Sequence, residues 1–428
     1  MTGLAAVEAA VADTHRREWA RVLAATVRVA RDLDLAEECV QEAYAAALES
    51  WARAGIPASP AAWLTITAKR RAIDAIRRER ALRSRLPLLV EPEDTAPELT
   101  VPDPATAAGE DADDVIPDER LRLIFTCCHP ALAQDAQVAL TLRLVCGVPT
   151  ADIARAFLMS EPTVAARVTR AKRKIAGARI PYRIPTAAEL PDRLRAVLAV
   201  IHLLFTTGHT APSGASLVRA DLVDRALHLA RILRELMPDD TEVSGLYALL
   251  LVTDARRATR IDADGRLVRL KDQDRALWDQ LALAEAGELI VRCLRAGPPK
   301  RYVLQAAIAS LYAEASTYDQ TDWPQIVALY DKLLEVWPSP VVALNRTVPL
   351  AMVAGPRAAL AEVETLERDE RLSGYHYLPA IKADLLSRIG RTTEAADSFR
   401  RAFDLAANDA ERAFLAEQIA DHTSDAGG

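Results

Sequence analysis

Three short groups of charged and polar side chains hold what chemistry this sequence offers. Between Asp34 and Trp51, the side chains of Asp34, Glu38 and Gln41 fall on one helical face, with Glu37 and Glu42 beside it. Such a face presents carboxylates and an amide to a partner rich in donors. Between Trp63 and Arg80, the string WLTITAKRRAIDAIRRER carries Lys69, Arg70, Arg71, Arg77, Arg78 and Arg80. Asp74 stands four residues from both Arg70 and Arg78 and can pair with either along a helix. Lys69, Arg71, Arg77 and Arg80 are then left to neutralise phosphates, which gives salt-dependent affinity without sequence information. In the third group Thr163, Arg167, Arg170 and Lys174 recur at three- and four-residue spacing, with Lys172 and Arg173 among them. Arginine presented in this way can meet guanine edges in a major groove. By charge alone, each group also reads as a solvated helix face.

Catalysis and metal binding find little support. No glycine-rich phosphate loop and no nucleophile–base arrangement is legible, so the chain is read as a non-enzyme without a cofactor. Cys39, Cys127, Cys128, Cys146 and Cys293 are odd in number and scattered, which is no disulfide framework. Cys127-Cys128-His129 with Cys146 fits no common zinc spacing, and the thiols read as small core residues. His202 and His209 lie two helical turns apart, too far for one ion, and Thr206-Thr207-Gly208 reads as a helix end between them. Asp262-Ala263-Asp264-Gly265 begins like a calcium loop but lacks the later ligands and the closing glutamate, so it is expected to be a surface turn. No metal is expected.

The elements that position the three groups read as helices almost without exception, an all-α chain. Ala36, Val40, Ala43 and Ala47 form the apolar stripe behind the acidic face. In the basic helix Trp63, Thr67, Ala72, Ala75 and Ile76 are expected to face inward. Thr150 can cap a short helix with Ile153, Ala154 and Phe157 inward; a turn at Leu158-Met159-Ser160 follows. Ser160 then caps a second helix with Pro162 in its first turn and Val164, Val168, Ala171 and Ile175 as its inner stripe. This is a helix–turn–helix.

Charge is organised by segment. Trp63 to Arg85 holds eight bases and two acids, Glu91 to Glu119 eleven acids and no base, Glu161 to Arg183 seven bases and one acid. Two basic surfaces held apart by an acidic, six-proline stretch suggest two separate contacts joined by a disordered linker over 87–117. The expected domains are 8–86, 118–182, a helical connecting domain over 188–294, and helical repeats over 295–420.

The repeats rest on a period of 34–35 residues: Gly355 and Gly390 each precede a helix, and Ile326, Leu360 and Ala395 occupy equivalent places. Ala383, Ala395, Phe399 and Ala402, and likewise Ile326, Tyr330, Leu333 and Pro338, fit the tetratricopeptide pattern. The middle unit is degenerate, with Glu364 in an aromatic place and Pro349 expected to interrupt its first helix. With 428 residues, half of them hydrophobic, no apolar run near the length of a membrane span and no signal-peptide plan, a cytoplasmic protein with no membrane partner is expected.

In sum of motifs, Ala36 to Tyr44 resembles the second region of extracytoplasmic-function RNA polymerase sigma factors, which docks on the polymerase clamp helices. Trp63-Leu64 with Ala68, Ala72, Ile73, Asp74, Arg77 and Arg78 resembles the adjoining element that meets the −10 strand, and Thr150 to Ile175 the fourth region, which reads the −35 element. Glu38 replaces the usual Asp, and Arg70 stands where Asn is general. The segment from Asp118 to Pro130 resembles the subgroup with C-terminal repeats, where the extension is regulatory. The resemblance implies core polymerase docking through Asp34, Glu37, Glu38, Gln41 and Glu42. It implies −10 contacts from Lys69, Arg70, Arg71, Arg77, Arg78 and Arg80, and −35 contacts from Thr163, Arg167, Arg170, Lys172, Arg173 and Lys174. It further implies that the repeats meet a protein partner or another part of the chain. The alternative reading is a repeat-containing DNA-binding regulator that is not a sigma factor.

Overall fold

A computed structural model describes residues 2–85, 119–156, 159–178, 180–183, 185–186 and 188–424. The acidic stretch and Phe157-Leu158 lie outside the described residues. The described residues form helices joined by turns, with two isolated bridges and no strand among them. The chain divides into two compact units, residues 1–154 with 159–200 and residues 155–158 with 201–428.

In the first unit, helices α1 (Thr2–Ala30), α2 (Leu33–Ala54) and α3 (Pro60–Arg85) each pack on the other two. Asp32 starts α2 by accepting the Leu35 amide at 2.8 Å, which satisfies one of the open donors of the first turn. The expected stripe Ala36, Val40, Ala43 and Ala47 is buried, as are Val22, Leu23 and Ala24 of α1, the helix on which α2 packs. On α3 the deep stripe is Leu64, Ala68 and Ala72, whereas Trp63, Thr67, Ala75 and Ile76 are half-buried. Small residues four apart let α3 approach closely, and Trp63 is left at the edge, packed edge-on against Trp51 with ring centroids 5.7 Å apart.

The same unit continues through α4 (Glu119–Cys127) and α5 (Gln134–Leu140), which runs into a π-turn over Thr141–Val145. Buried Gln137 ties the α4–α5 loop by donating to the carbonyls of His129 at 2.9 Å and Leu132 at 3.2 Å. The helix–turn–helix follows as α6 (Thr150–Ala156) and α7 (Glu161–Gly177). Ser160 accepts from the Thr163 amide as the cap of α7, and Val164, Val168, Ala171 and Ile175 are buried as expected. All five cysteines are free and buried. Burial pushes the Cys128 thiol up to about 12, so it is a packing residue with Thr141 beside its sulfur.

The boundary between the units falls inside α8 (Leu190–His209). The expected helix end at Thr206-Thr207-Gly208 does not occur. Gly208 serves close approach instead: a Cβ there would lie 2.8 Å from both Leu222 Cβ and Val223 N of α9 (Ala220–Leu236). In the second unit α9, α11 (Gln280–Ala296) and α12 (Arg301–Glu314) pack on α10 (Thr241–Asp254), which is buried on every side from Val243 to Val252. Such a helix has no amphipathic face because it has no solvent side. The Asp262–Gly265 segment is a turn in which Asp262 accepts the amides of Asp264 and Arg266.

Six helices complete the unit: α13 (Trp323–Val336), α14 (Pro340–Val353), α15 (Pro356–Leu366), α16 (Tyr377–Arg388), α17 (Thr392–Leu405) and α18 (Asp409–Ser424), each packed on the one before. Ile326, Leu360 and Ala395 are buried in α13, α15 and α17, one turn into each. Pro349 does not interrupt α14, which runs through it to Val353. The carbonyl that the proline ring deprives of its donor belongs to Asn345, an exposed residue that water can serve. Glu364 is exposed where the repeat pattern asks for an aromatic.

Candidate functional site

The acidic helix and the helix–turn–helix meet inside the first unit, and Glu37 is where they meet. Asp34, Glu38, Gln41 and Glu42 are exposed on α2, but Glu37 is turned inward with its side chain 9% exposed. Lys172 of α7, equally buried, donates to Glu37 at 2.6 Å and to Asp34 at 2.7 Å. Arg143 of the π-turn closes on the other Glu37 oxygen at 2.6 Å, and Gln41 adds a longer contact at 3.3 Å. Burial would lower the Lys172 pKa, but the hydrogen bonds and charges of Asp34 and Glu37 outweigh it and hold the ammonium above its ordinary value. Breaking one partner out of such a buried pair costs about 3–5 kcal/mol.

Two uncharged contacts flank this cluster. Trp19 of α1 donates its indole N–H to the Leu144 carbonyl at 3.1 Å. Tyr182 donates its hydroxyl to the Ala24 carbonyl at 3.0 Å. Gly147 has φ of 63° and would bring a Cβ within 2.9 Å of the Trp19 ring, so glycine is required there twice over.

The basic groups stand differently. On α3, Arg70, Arg77, Arg78 and Arg80 are exposed, Lys69 is half-buried, and Arg71 pairs with Glu42 of α2 at 2.5 Å. The acidic and basic faces are thus neighbours across α2 and α3. On α7, Thr163, Arg170, Arg173 and Lys174 are exposed. Arg167 is drawn back onto Asp135 of α5 at 3.1 Å, and Lys172 is buried as described. Sequence reasoning places Lys172 with the solvent-facing bases, and it misses Arg143 and Trp19 altogether. Arg143 did leave a signal: it is the lone base in the apolar run Val138 to Val148, where an arginine needs a buried carboxylate. No group of three or more His, Cys, Asp or Glu is placed to hold a metal among the described residues.

Three family models match the chain: Sigma-70 region 2 over residues 15–82, Sigma-70 region 4 over residues 122–175, and a family of unknown function (DUF6596) over residues 193–294. The first takes in α2 and α3, the second the helix–turn–helix, so the fold and the site together define a sigma factor with a role in promoter recognition, whose partners are core RNA polymerase and promoter DNA. An uncharacterized protein of Rhizobium meliloti (strain 1021) is 43% identical over 406 residues, covering 94% of this chain and 93% of that protein. The chain belongs to the same family as that protein. No described helix is long and apolar enough to cross a membrane.

Proposed function

We propose that this chain is an extracytoplasmic-function-type sigma factor that docks on core polymerase through α2, meets the −10 strand through α3, reads the −35 element through α7, and is regulated by its C-terminal helices. The observation that supports it is the adjacency of two faces: exposed Asp34, Glu38, Gln41 and Glu42 on α2, and the exposed arginines of α3 beside them. A DNA-binding regulator that is not a sigma factor needs the helix–turn–helix but has no use for that pair.

The Glu37 cluster adds a closed state to this reading. With Lys172 and Arg143 seated on Glu37, part of the α2 face is covered by the −35-reading domain. Gripping polymerase and a promoter at once then requires the two regions to part, and whatever parts them sets activity. The α13–α18 helices, read as tetratricopeptide-like repeats, are the proposed regulator, by a partner or by the chain's own sigma regions. Run-off transcription with core polymerase and genomic promoter fragments tests the whole proposal. Full-length protein is expected to give promoter-dependent transcripts, and Glu38→Lys with Gln41→Lys to abolish core binding without loss of duplex binding by α7. A chain truncated at Pro185 is expected to differ from full length in activity at equal folded concentration. Absence of any transcript would remove the sigma reading; identical activity of the two chains would remove the regulatory one.

A further inference from the structure

The second unit contains a cavity of about 490 Å³ that neither sigma region touches, lined from α8, α10, α12, α16, α17 and α18 and the segments between them. Its size is that of a small-molecule site. Two buried side-chain nitrogens without a hydrogen-bond partner, His209 Nε2 and Gln305 Nε2, belong to residues that line this one space. A buried polar group left unpaired costs about 1–3 kcal/mol, so two around one cavity call for an occupant. Glu411, its side chain 8% exposed, lines the same space, accepts the Tyr377 hydroxyl and sits 3.4 Å from His376 Nε2.

The hydrogen-bonding sense of each group is fixed by its surroundings. His209 hydrogen-bonds the Thr253 backbone carbonyl, so Nδ1 carries the proton and Nε2 offers a lone pair. Burial first, then Arg260 and Arg256, push its pKa down to about 2, and the ring stays neutral. Burial opposes ionisation of Glu411, but hydrogen bonds from His376 and Tyr377 prevail and keep it a carboxylate. Gln305 Nε2 offers a proton. An occupant must therefore both donate and accept. A second anion would face Glu411, and a cation would face Arg256 and Arg260 behind His209. Hydroxyl groups meet both demands without charge. Thr206, Thr210 and Thr253 add hydroxyls to the lining, and part of the wall is apolar and aromatic: Phe205, stacked on His209 with centroids 5.4 Å apart, and Leu249, Pro212 and Tyr375. That part of the wall suits the C–H face of a sugar ring.

We propose that this cavity binds a small neutral polyhydroxylated molecule of the sugar class, whose hydroxyls donate to His209 Nε2 and Glu411 and accept from Gln305 Nε2. The proposal deepens the regulatory reading of the C-terminal helices and rests on it only for an effect on transcription. The test titrates full-length protein calorimetrically with D-glucose, D-galactose, N-acetyl-D-glucosamine, trehalose and myo-inositol, with glucuronate and glucosamine as charged counterparts. At least one neutral probe is expected to bind saturably and its charged counterparts at least tenfold more weakly. Gln305→Met and Glu411→Gln are each expected to weaken that probe at least tenfold, ~1.4 kcal/mol. Gln305→Met keeps the side-chain volume and is expected to leave the melting temperature of the unliganded protein unlowered. Saturable binding of none of the probes overturns the proposal, as does binding undiminished by Gln305→Met; a Gln305→Met protein that melts higher while no probe binds identifies a cavity filled by water alone. Run-off transcription with and without the bound probe is read separately: binding without a change in transcripts leaves the cavity assigned and counts against regulation.

Discussion

At the scale of single residues, Glu37 is held by two cations, Lys172 and Arg143, and more loosely by the neutral amide of Gln41. Reversing one of those partners places like charges in a desolvated space, where the interaction is far stronger than at a surface. Lys172→Glu is therefore expected to open the first unit. Small-angle scattering of the full chain then gives a larger radius of gyration, and affinity for core polymerase rises. Adding Glu37→Gln, which removes one of the opposed acids, is expected to recover part of the compaction. Superimposable scattering curves for Lys172→Glu and the parent protein would show that the pair does not hold the regions together. Arg173→Ala, at an exposed neighbour, is expected to weaken DNA binding uniformly and flatten its salt dependence while leaving compaction unchanged.

Helices in this chain owe their positions to a few close approaches, and Gly245 makes the tightest. A Cβ added there would lie 2.7 Å from the Val303 backbone nitrogen, so α10 and α12 would have to separate. Gly245→Ala is expected to lower stability by about 1–3 kcal/mol, as overpacking does. Gly287→Ala, on α11 with nothing within 4 Å, is expected to raise it by about 0.5–1 kcal/mol through helix propensity. Urea midpoints of the two variants, moving in opposite directions, check both. The same glycines mark the limit of what the sequence reveals. A glycine inside an apolar pattern reads equally as a stop or as a close approach, and only the partner helix decides; Gly208 was such a case. The helix–turn–helix was legible because its signals are local: Ser160, Pro162 and the Val164-to-Ile175 stripe all lie within one helix. On α3 the deep stripe lay one position from the expected start because Leu64, Ala68 and Ala72 answer to α1 and α2, not to their own helix. The Glu37 cluster left no spacing signal at all, since its members are more than a hundred residues apart.

For the molecule as a whole, the two units should answer differently to acid. His202 and His209, both in the second unit, are pushed down from 6.5 to about 4 and about 2, by burial first and by neighbouring arginines second. A histidine whose folded pKa is depressed stabilises the fold while it is neutral. That contribution is complete above the ordinary pKa and is lost as pH falls below 6.5 toward the folded value, at about 1.4 kcal/mol per pH unit for each ring. The second unit is thus expected to weaken steadily between pH 6.5 and about 4. Urea unfolding of the full chain, followed at pH 7.5, 6 and 5 by hydrogen exchange resolved along the sequence, tests this. His209→Gln is expected to flatten the trend, and a pH-independent midpoint over that range would contradict it.

The ion pair between Glu37 and Lys172 also has a consequence in time. The two residues are 135 positions apart, and a ribosome adding about 5–20 residues per second takes roughly 7–27 s to travel from one to the other. From the addition of Ala54 onward, the nascent chain carries the whole of the acidic helix α2 while the lysine that will cover Glu37 has yet to be synthesised. Each newly made copy therefore passes once through a stage at which the face is bare, before any signal has acted on the finished protein.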